Sequence, residues 1–183
     1  IIFHDHHGDI EFDQSVSIFF KIFNIKYSYI GVSKTLSNWA MENLKNINKI
    51  YTLSNIRLIN DYKNNLSFSN LKNRSIKKLK IVHVSNIRKT KNIEYAIKLV
   101  DELRKNIKVN LTIYGQISDQ TYFDELNNII SQKNLKNNIS FIHNELNIVS
   151  ILDDYDFGIY TSKSESGPLV LIEYLSSGIP FIS

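Results

Sequence analysis

The sequence predicts an α/β protein built on parallel β-sheets, and three observations carry this prediction. From Leu79 onward, short runs rich in β-branched residues alternate with amphipathic segments, which is the pattern of consecutive βαβ units. Hydrophobic residues make up 43% and charged residues 22% of the 183 positions, as in ordinary globular proteins. No uninterrupted apolar stretch is long enough to span a bilayer.

Residues 79–183 are predicted to form one nearly complete domain. Apolar residues recur at helical spacing between the first two strands, and again before the third and the fourth. The last helix is the most strongly marked, because Gly167 and Pro168 precede it while Gly178 and Pro180 follow it. The predicted strands are residues 80–84, 109–114, 139–142, 157–160 and 180–182. The apolar residues at helical spacing lie within 93–103, 123–130 and 148–152, and the last helix is predicted to begin near Pro168.

The N-terminal part is predicted to be the end of a separate domain, residues 1–60. Residues 1–3, 27–32 and 50–53 have the composition of strands, and Ser33 is a candidate N-cap for a helix that runs to about Leu44. The polar and basic stretch 61–78 is interpreted as the linker between the two domains. We expect the chain to be part of a longer protein, with its second domain truncated at the C-terminal end.

Charge and cysteine usage restrict the functional classes. The net charge of +4 comes partly from a basic cluster in and beside the linker, which we interpret as a solvated segment rather than a nucleic-acid or membrane patch. The chain has no Cys, and its first residues do not resemble a secretion signal, so we expect a cytoplasmic protein.

The stretch from Ser162 to Glu173 lies between a predicted strand and the start of the last helix. In a parallel α/β sheet, ligands bind beyond the carboxyl ends of the strands, where a helix N-terminus attracts anions. A diphosphate suits this position. Glu165 and Glu173 place two carboxylates at different depths of the same opening, and carboxylates accept hydrogen bonds from sugar hydroxyls.

This arrangement resembles the E-x7-E motif of the retaining GT-B glycosyltransferases, the large group 1 (family 4-like) family. The resemblance extends in register over nearly all of residues 79–183. The matching positions are Lys91 after the first strand, Gly115 after the second, Asn138 to Phe141, Asp156, Ser162, Glu165, Glu173, Gly178 and Pro180.

The resemblance implies two Rossmann-like domains and transfer of a hexosyl unit from a nucleoside diphosphate sugar to an acceptor hydroxyl, with retention. It implies that Glu165 contacts the donor sugar, Glu173 the ribose and Lys91 the diphosphate, with Gly115 and Gly167 also in the donor site. Lys91 is notable on physical grounds too, because a cation just before a helix N-terminus opposes the helix dipole.

Two departures from the family pattern change the expected phosphate contacts. Asn86 stands where the family usually has Arg, so Arg88 is the candidate for the second cation. Pro168 stands in the glycine-rich turn and cannot donate an N–H. The resemblance then assigns the phosphate to the backbone of Leu169 and Val170.

The implied partners are a nucleotide-sugar donor and a glycan or lipid-linked acceptor. Peripheral contact with the inner face of a membrane is compatible with such an acceptor, and no nucleic-acid partner is expected. The sequence leaves open the base, the sugar, the acceptor and the oligomeric state. The alternative function is a Rossmann-like nucleotide-binding or regulatory module without transfer activity. No G-x-G-x-x-G follows the first strand, which argues against a dinucleotide dehydrogenase.

Two further patterns invite a metal interpretation. By the same resemblance, His4 and Asp5 would lie on the acceptor side of the cleft. Together with His6, His7 and Asp9 they also resemble a metal cluster, but their spacing fits no familiar closed site. The D-x-D of Asp154 and Asp156 precedes a strand instead of following one. We therefore expect no bound metal and no cofactor.

Overall fold

The computed structural model describes residues 1–5, 25–56, 78–145, 147–165 and 167–183. Contacts divide the chain into two compact units. Unit 1 comprises Ile1–Arg57 with Ser164–Leu169, and unit 2 comprises Leu58–Lys163 with Val170–Ser183. Nearly all of the predicted linker lies outside the described residues, so the domain boundaries given above stay a prediction.

Unit 1 contains a parallel sheet with strand order β1-β2-β3, where β1 is Ile2–Asp5, β2 is Tyr27–Gly31 and β3 is Ile47–Thr52. Helix α1 (Lys34–Asn43) begins after Ser33, whose side chain accepts a hydrogen bond from the Leu36 amide at 3.2 Å. The predicted N-cap is therefore confirmed. Strand β3 begins earlier than predicted because Ile47 pairs with Tyr27 of β2.

Unit 2 is a doubly wound α/β domain. Within the described residues, its five strands are all parallel and lie in the order β6-β5-β4-β7-β8. The strands are β4 (Leu79–Val84), β5 (Val109–Tyr114), β6 (Ile139–Ile142), β7 (Phe157–Ile159) and β8 (Phe181–Ile182), and the helices are α2 (Ile93–Leu103), α3 (Gln120–Gln132), α4 (Ile148–Ile151) and α5 (Leu169–Ser177). The predicted α/β class and parallel sheet are confirmed.

Both faces of this sheet are buried, as expected for parallel strands between two helical layers. Neighbouring residues of β4 belong to different cores: Ile81 packs with α2 and α3, whereas Val82 packs with Tyr174 of α5. Gly158 of β7 makes room for that tyrosine, because a Cβ there would lie 2.9 Å from Tyr174 Cε2.

Helix α5 ends where its sequence predicts. Gly178 has φ = 69°, the left-handed conformation of a C′ glycine. The Ile179 amide donates to the Tyr174 carbonyl at 3.1 Å, which completes the cap. None of the helices in the described ranges is both long and apolar enough to cross a membrane.

Candidate functional site

The chain reverses its winding direction between β4 and β7, which are neighbours at the centre of the unit 2 sheet. Residues of α2, the helix that follows β4, pack in one core, whereas residues of α5, the helix that follows β7, pack in the other. Ligands of doubly wound domains bind at such a switch point, beyond the carboxyl ends of the strands. The loops that leave β4 and β7 therefore form the candidate site of unit 2.

The loop after β4 is fixed by a buried residue between two exposed ones. Ile87 is fully buried and bonded through its main chain to Gln116, Ser118 and Asp119, at 2.8 to 3.1 Å. The predicted phosphate-site residues Asn86 and Arg88, on either side of Ile87, are exposed.

Lys91 lies at the end of a short 3₁₀ helix, Lys89–Lys91. The next residue, Asn92, has φ = 52° and is the N-cap of α2. The expectation of a cation immediately before a helix N-terminus is confirmed.

Two hydrogen bonds tie this turn to the loop that leaves β7. The Thr161 hydroxyl donates to the Lys91 carbonyl at 2.7 Å, and the Lys163 amide donates to the Thr90 carbonyl at 3.0 Å. The main chain that carries Lys91 is thereby held against the start of the Ser162 to Glu173 stretch.

His83 is a polar residue of this region that the sequence interpretation missed. It is 1% exposed in the middle of the sheet, and both ring nitrogens have partners: Nε2 lies 2.9 Å from Thr161 Oγ1 and Nδ1 lies 3.4 Å from Ser85 Oγ. Burial, and secondly the charge of Lys91, lower the pKa of His83 to about 4. His83 lies among β-branched residues of a strand, with Ser85 two positions later, and this pattern could have drawn attention to the histidine.

Packing explains why residue 115 is a glycine. It adopts φ = 153°, and a Cβ would lie 1.9 Å from the Ser85 carbonyl oxygen. Its own carbonyl lies 2.9 Å from His143 Nδ1. The close approach of two main chains at the carboxyl edge thus demands glycine, and its predicted donor contact stays a prediction.

The two glutamates of the E-x7-E stretch fall in different units. Glu173 is 8% exposed in the second turn of α5 in unit 2. Glu165 is half-buried in the loop before α5, which clusters with unit 1. The first residues of α5, Leu169 and Val170, are exposed and half-buried, and their phosphate contacts stay a prediction.

Unit 1 contains the remaining predicted residues. Gly167, at φ = 142°, accepts a hydrogen bond at its carbonyl from Asn55 Nδ2 at 2.7 Å. His4 is exposed, whereas Asp5 is buried and accepts a 2.6 Å hydrogen bond from the Tyr29 hydroxyl. Burial and this bond raise the pKa of Tyr29. Asp5 is thus part of the unit 1 interior.

The metal interpretations find no further support. Asp156 Oδ2 accepts a hydrogen bond from the Lys80 amide at 2.9 Å, so the second Asp of the D-x-D links the residue before β7 to the start of β4. Three members of the N-terminal cluster, His6, His7 and Asp9, lie outside the described residues. Among the described residues, no group of three or more His, Asp or Glu side chains is arranged to hold a metal.

A family comparison decides the identity of the chain. The profile of the family described as "Glycosyl transferases group 1" matches residues 67–183, more than half of the chain. The chain belongs to this family. The match covers all the strands and helices of unit 2 that the structure describes, together with the E-x7-E stretch, so the group 1 assignment made from the motifs is confirmed.

Individual relatives agree with this assignment. The chain is 24% identical over 102 residues to the N-acetyl-alpha-D-glucosaminyl L-malate synthase of Bacillus anthracis, a match that covers 56% of the chain and 26% of that enzyme. The chain spans about a quarter of the length of the curated relatives that it matches.

Solved structures show the same fold. Anabaena Alr3699/HepE in complex with UDP-glucose has a TM-score of 0.74 at 19% identity, over 98% of this chain and 52% of that one. S. aureus TarM in a complex that includes UDP has a TM-score of 0.65 at 22% identity, over 84% and 29%. The chain therefore belongs to the GT-B fold class, which has Rossmann-like domains.

Proposed function

We propose that the protein transfers a hexosyl unit from a nucleoside diphosphate sugar to an acceptor hydroxyl, with retention of configuration, in the synthesis of a bacterial surface polysaccharide or related glycan. The observation that carries this proposal is the switch point of unit 2, where a lysine-bearing turn is hydrogen-bonded to the loop that leads into the E-x7-E stretch. Membership of the group 1 family supports it.

The chemistry requires charge stabilisation on the leaving group. Cleavage of the donor creates oxocarbenium character on the sugar and negative charge on the departing diphosphate. Lys91 and Arg88 supply cations in the loop after β4, and the N-terminus of α5 supplies the amides of Leu169 and Val170. In this mechanism no metal ion or cofactor takes part.

The two carboxylates have separate roles in the proposal. Glu173 holds the ribose, and its burial in α5 suits a carboxylate that accepts hydrogen bonds away from bulk water. Glu165 contacts the sugar that is transferred. Gly115 and Gly167 allow close approach of the main chain, and Asn86 contributes a neutral amide where the family usually has Arg.

The acceptor is proposed to be a glycan or a lipid-linked saccharide, with His4 and Asp5 on its side of the protein. Such an acceptor would place the protein in the cytoplasm, in peripheral contact with the inner face of the membrane. Structural neighbours support the donor class, since HepE was solved with UDP-glucose and TarM with UDP.

Thermal unfolding of the intact protein with a panel of nucleoside diphosphate sugars tests the proposal. A ligand at one hundred times its Kd stabilises the folded state by about 2.7 kcal/mol, which raises Tm measurably. We expect one base and sugar to stabilise the protein more than the matching nucleoside monophosphate does. The absence of any stabilisation contradicts the proposal, whereas binding without sugar transfer indicates the nucleotide-binding module without activity.

A further inference from the structure

The Thr161 hydroxyl has two hydrogen-bond partners among the residues that the structure describes. It lies 2.7 Å from the Lys91 carbonyl and 2.9 Å from His83 Nε2. A carbonyl only accepts, so the single hydroxyl proton of Thr161 is directed at Lys91. The Thr161 oxygen must then accept a hydrogen bond from His83, so Nε2 carries the hydrogen.

The other imidazole nitrogen follows from this assignment. His83 is neutral because burial, together with the charge of Lys91, lowers its pKa to about 4. A neutral ring with its proton on Nε2 accepts at Nδ1, and the Ser85 hydroxyl lies 3.4 Å from that atom. Ser85, His83, Thr161 and the Lys91 carbonyl thus form one chain of hydrogen bonds with a single direction.

This chain of hydrogen bonds ends on the turn that carries Lys91. The same turn is also held by the Lys91 amide, which donates to the Arg88 carbonyl at 3.0 Å, and by the Lys163 amide on the Thr90 carbonyl. After it, Asn92 is in the left-handed conformation, so the main chain changes direction immediately beyond Lys91. A change at Thr161 therefore acts on the orientation of the lysine through its own peptide.

We propose that His83 and Thr161 are positioning residues, which fix the main chain at Lys91 so that its ammonium group meets the diphosphate of the donor. The proposal rests on the function proposed above. A purely structural role for this pair predicts a loss of stability that is independent of Lys91. A positioning role predicts that the effect on diphosphate binding disappears when the lysine is absent.

A double-mutant cycle separates these two roles. Calorimetry of the intact protein with uridine, guanosine and adenosine diphosphates identifies the probe that binds best. We expect Thr161→Val to weaken binding of that probe about tenfold, which corresponds to the net free energy of one hydrogen bond. Thr161→Ser should restore binding, because the hydroxyl is retained. In a Lys91→Met background, Thr161→Val should have no further effect.

Thr112 on β5 provides the matched control, since its hydroxyl has a weak 3.5 Å contact with Ser140. Thr112→Val should leave binding unchanged. His83→Gln, whose amide reaches the position of Nε2, should retain more affinity than His83→Met. Binding by Thr161→Val equal to wild type, or an unchanged Thr161→Val effect in the Lys91→Met background, overturns the proposal.

A ligand-free measurement distinguishes failure of this inference from failure of the proposed function. In ¹⁵N NMR spectra of the intact protein at pH 7, His83 should show the neutral Nε2–H tautomer. An Nδ1–H tautomer overturns the hydrogen-bond chain, whatever the ligand. If the tautomer is as expected but wild type binds none of the three diphosphates, the proposed function fails and the positioning role fails with it.

Discussion

Glu173 and Glu165 are proposed to hold different parts of one donor, so their substitution should have different effects. A hydrogen bond to a charged group contributes about 1.5 to 3 kcal/mol, or roughly tenfold to a hundredfold in affinity. Glu173→Gln should weaken binding of the bare nucleoside diphosphate by that factor, since the ribose is present in it. Calorimetry of the intact protein measures the change.

Glu165→Gln is the matched comparison. It should leave binding of the nucleoside diphosphate nearly unchanged and lower sugar transfer, because its partner is the sugar. If both variants bind and turn over like wild type, the two carboxylates only stabilise the start of α5.

His83 gives the stability of unit 2 a pH dependence. Its pKa is about 4 when folded and near 6.5 when unfolded, so between these values the unfolded state binds the additional proton. The contribution is complete above about pH 6.5 and is lost as the pH falls towards 4. It amounts to on the order of 3 kcal/mol.

Urea unfolding followed by circular dichroism at pH 7 and pH 4.5 checks this expectation. The wild type should lose more stability between the two pH values than His83→Gln, which has no imidazole to protonate. Equal losses in the two proteins would show that His83 does not titrate in this range.

The sequence singles out candidate residues whose chemistry is visible one at a time. Lys91, Glu165 and Glu173 stand out by position, charge and family resemblance. The role of Thr161 could not be predicted, because its hydroxyl meets the Lys91 carbonyl across 70 positions of the chain. Local sequence patterns do not show a contact between residues so far apart in the chain. The sequence around His83 likewise does not show that its ring bonds to Thr161.

At the scale of elements, α5 packs closely on β7 because Gly158 has no side chain. An added Cβ at Gly158 would lie 2.9 to 3.1 Å from three ring atoms of Tyr174, which is fully buried. Gly158→Ala should therefore destabilise the protein by about 1 to 3 kcal/mol, the range for overpacked cores. Urea unfolding at pH 7 measures the change.

Tyr174→Leu supplies the control for this prediction. In that background the smaller side chain leaves room for the added methyl group, so Gly158→Ala should cost less than in wild type. The same cost in both backgrounds would mean that the clash with the ring does not determine the effect.

Element positions followed closely from the sequence where the local signals were strong. The boundaries of β5 and β6 agree with prediction, α2 covers the apolar stripe of 93–103, and Gly178 ends α5 as expected. Helix α3 begins before the apolar stripe of 123–130, because Asp119 caps it through the Tyr122 amide at 3.0 Å. The apolar stripe marks the buried face of a helix, and the cap determines where the helix begins.

At the scale of the whole molecule, alternating strands and helices were enough to predict parallel sheets. The order of the strands was not predicted, because it depends on which face each connecting helix covers. Membership of the loop 164–169 in unit 1 was also not predicted. A hydrogen bond between Asn55 and Gly167, 112 positions apart, is part of that grouping.

The switch point of unit 2 is proposed to bind the diphosphate of a nucleotide sugar, and Lys91 is the cation on which that binding depends. Titration calorimetry of the intact protein with the three nucleoside diphosphates should show binding that Lys91→Met weakens roughly tenfold to a hundredfold. Lys89→Met, in the same turn, is the matched control and should bind like wild type. Equal affinity of Lys91→Met and wild type, or no binding by either, would contradict the claim.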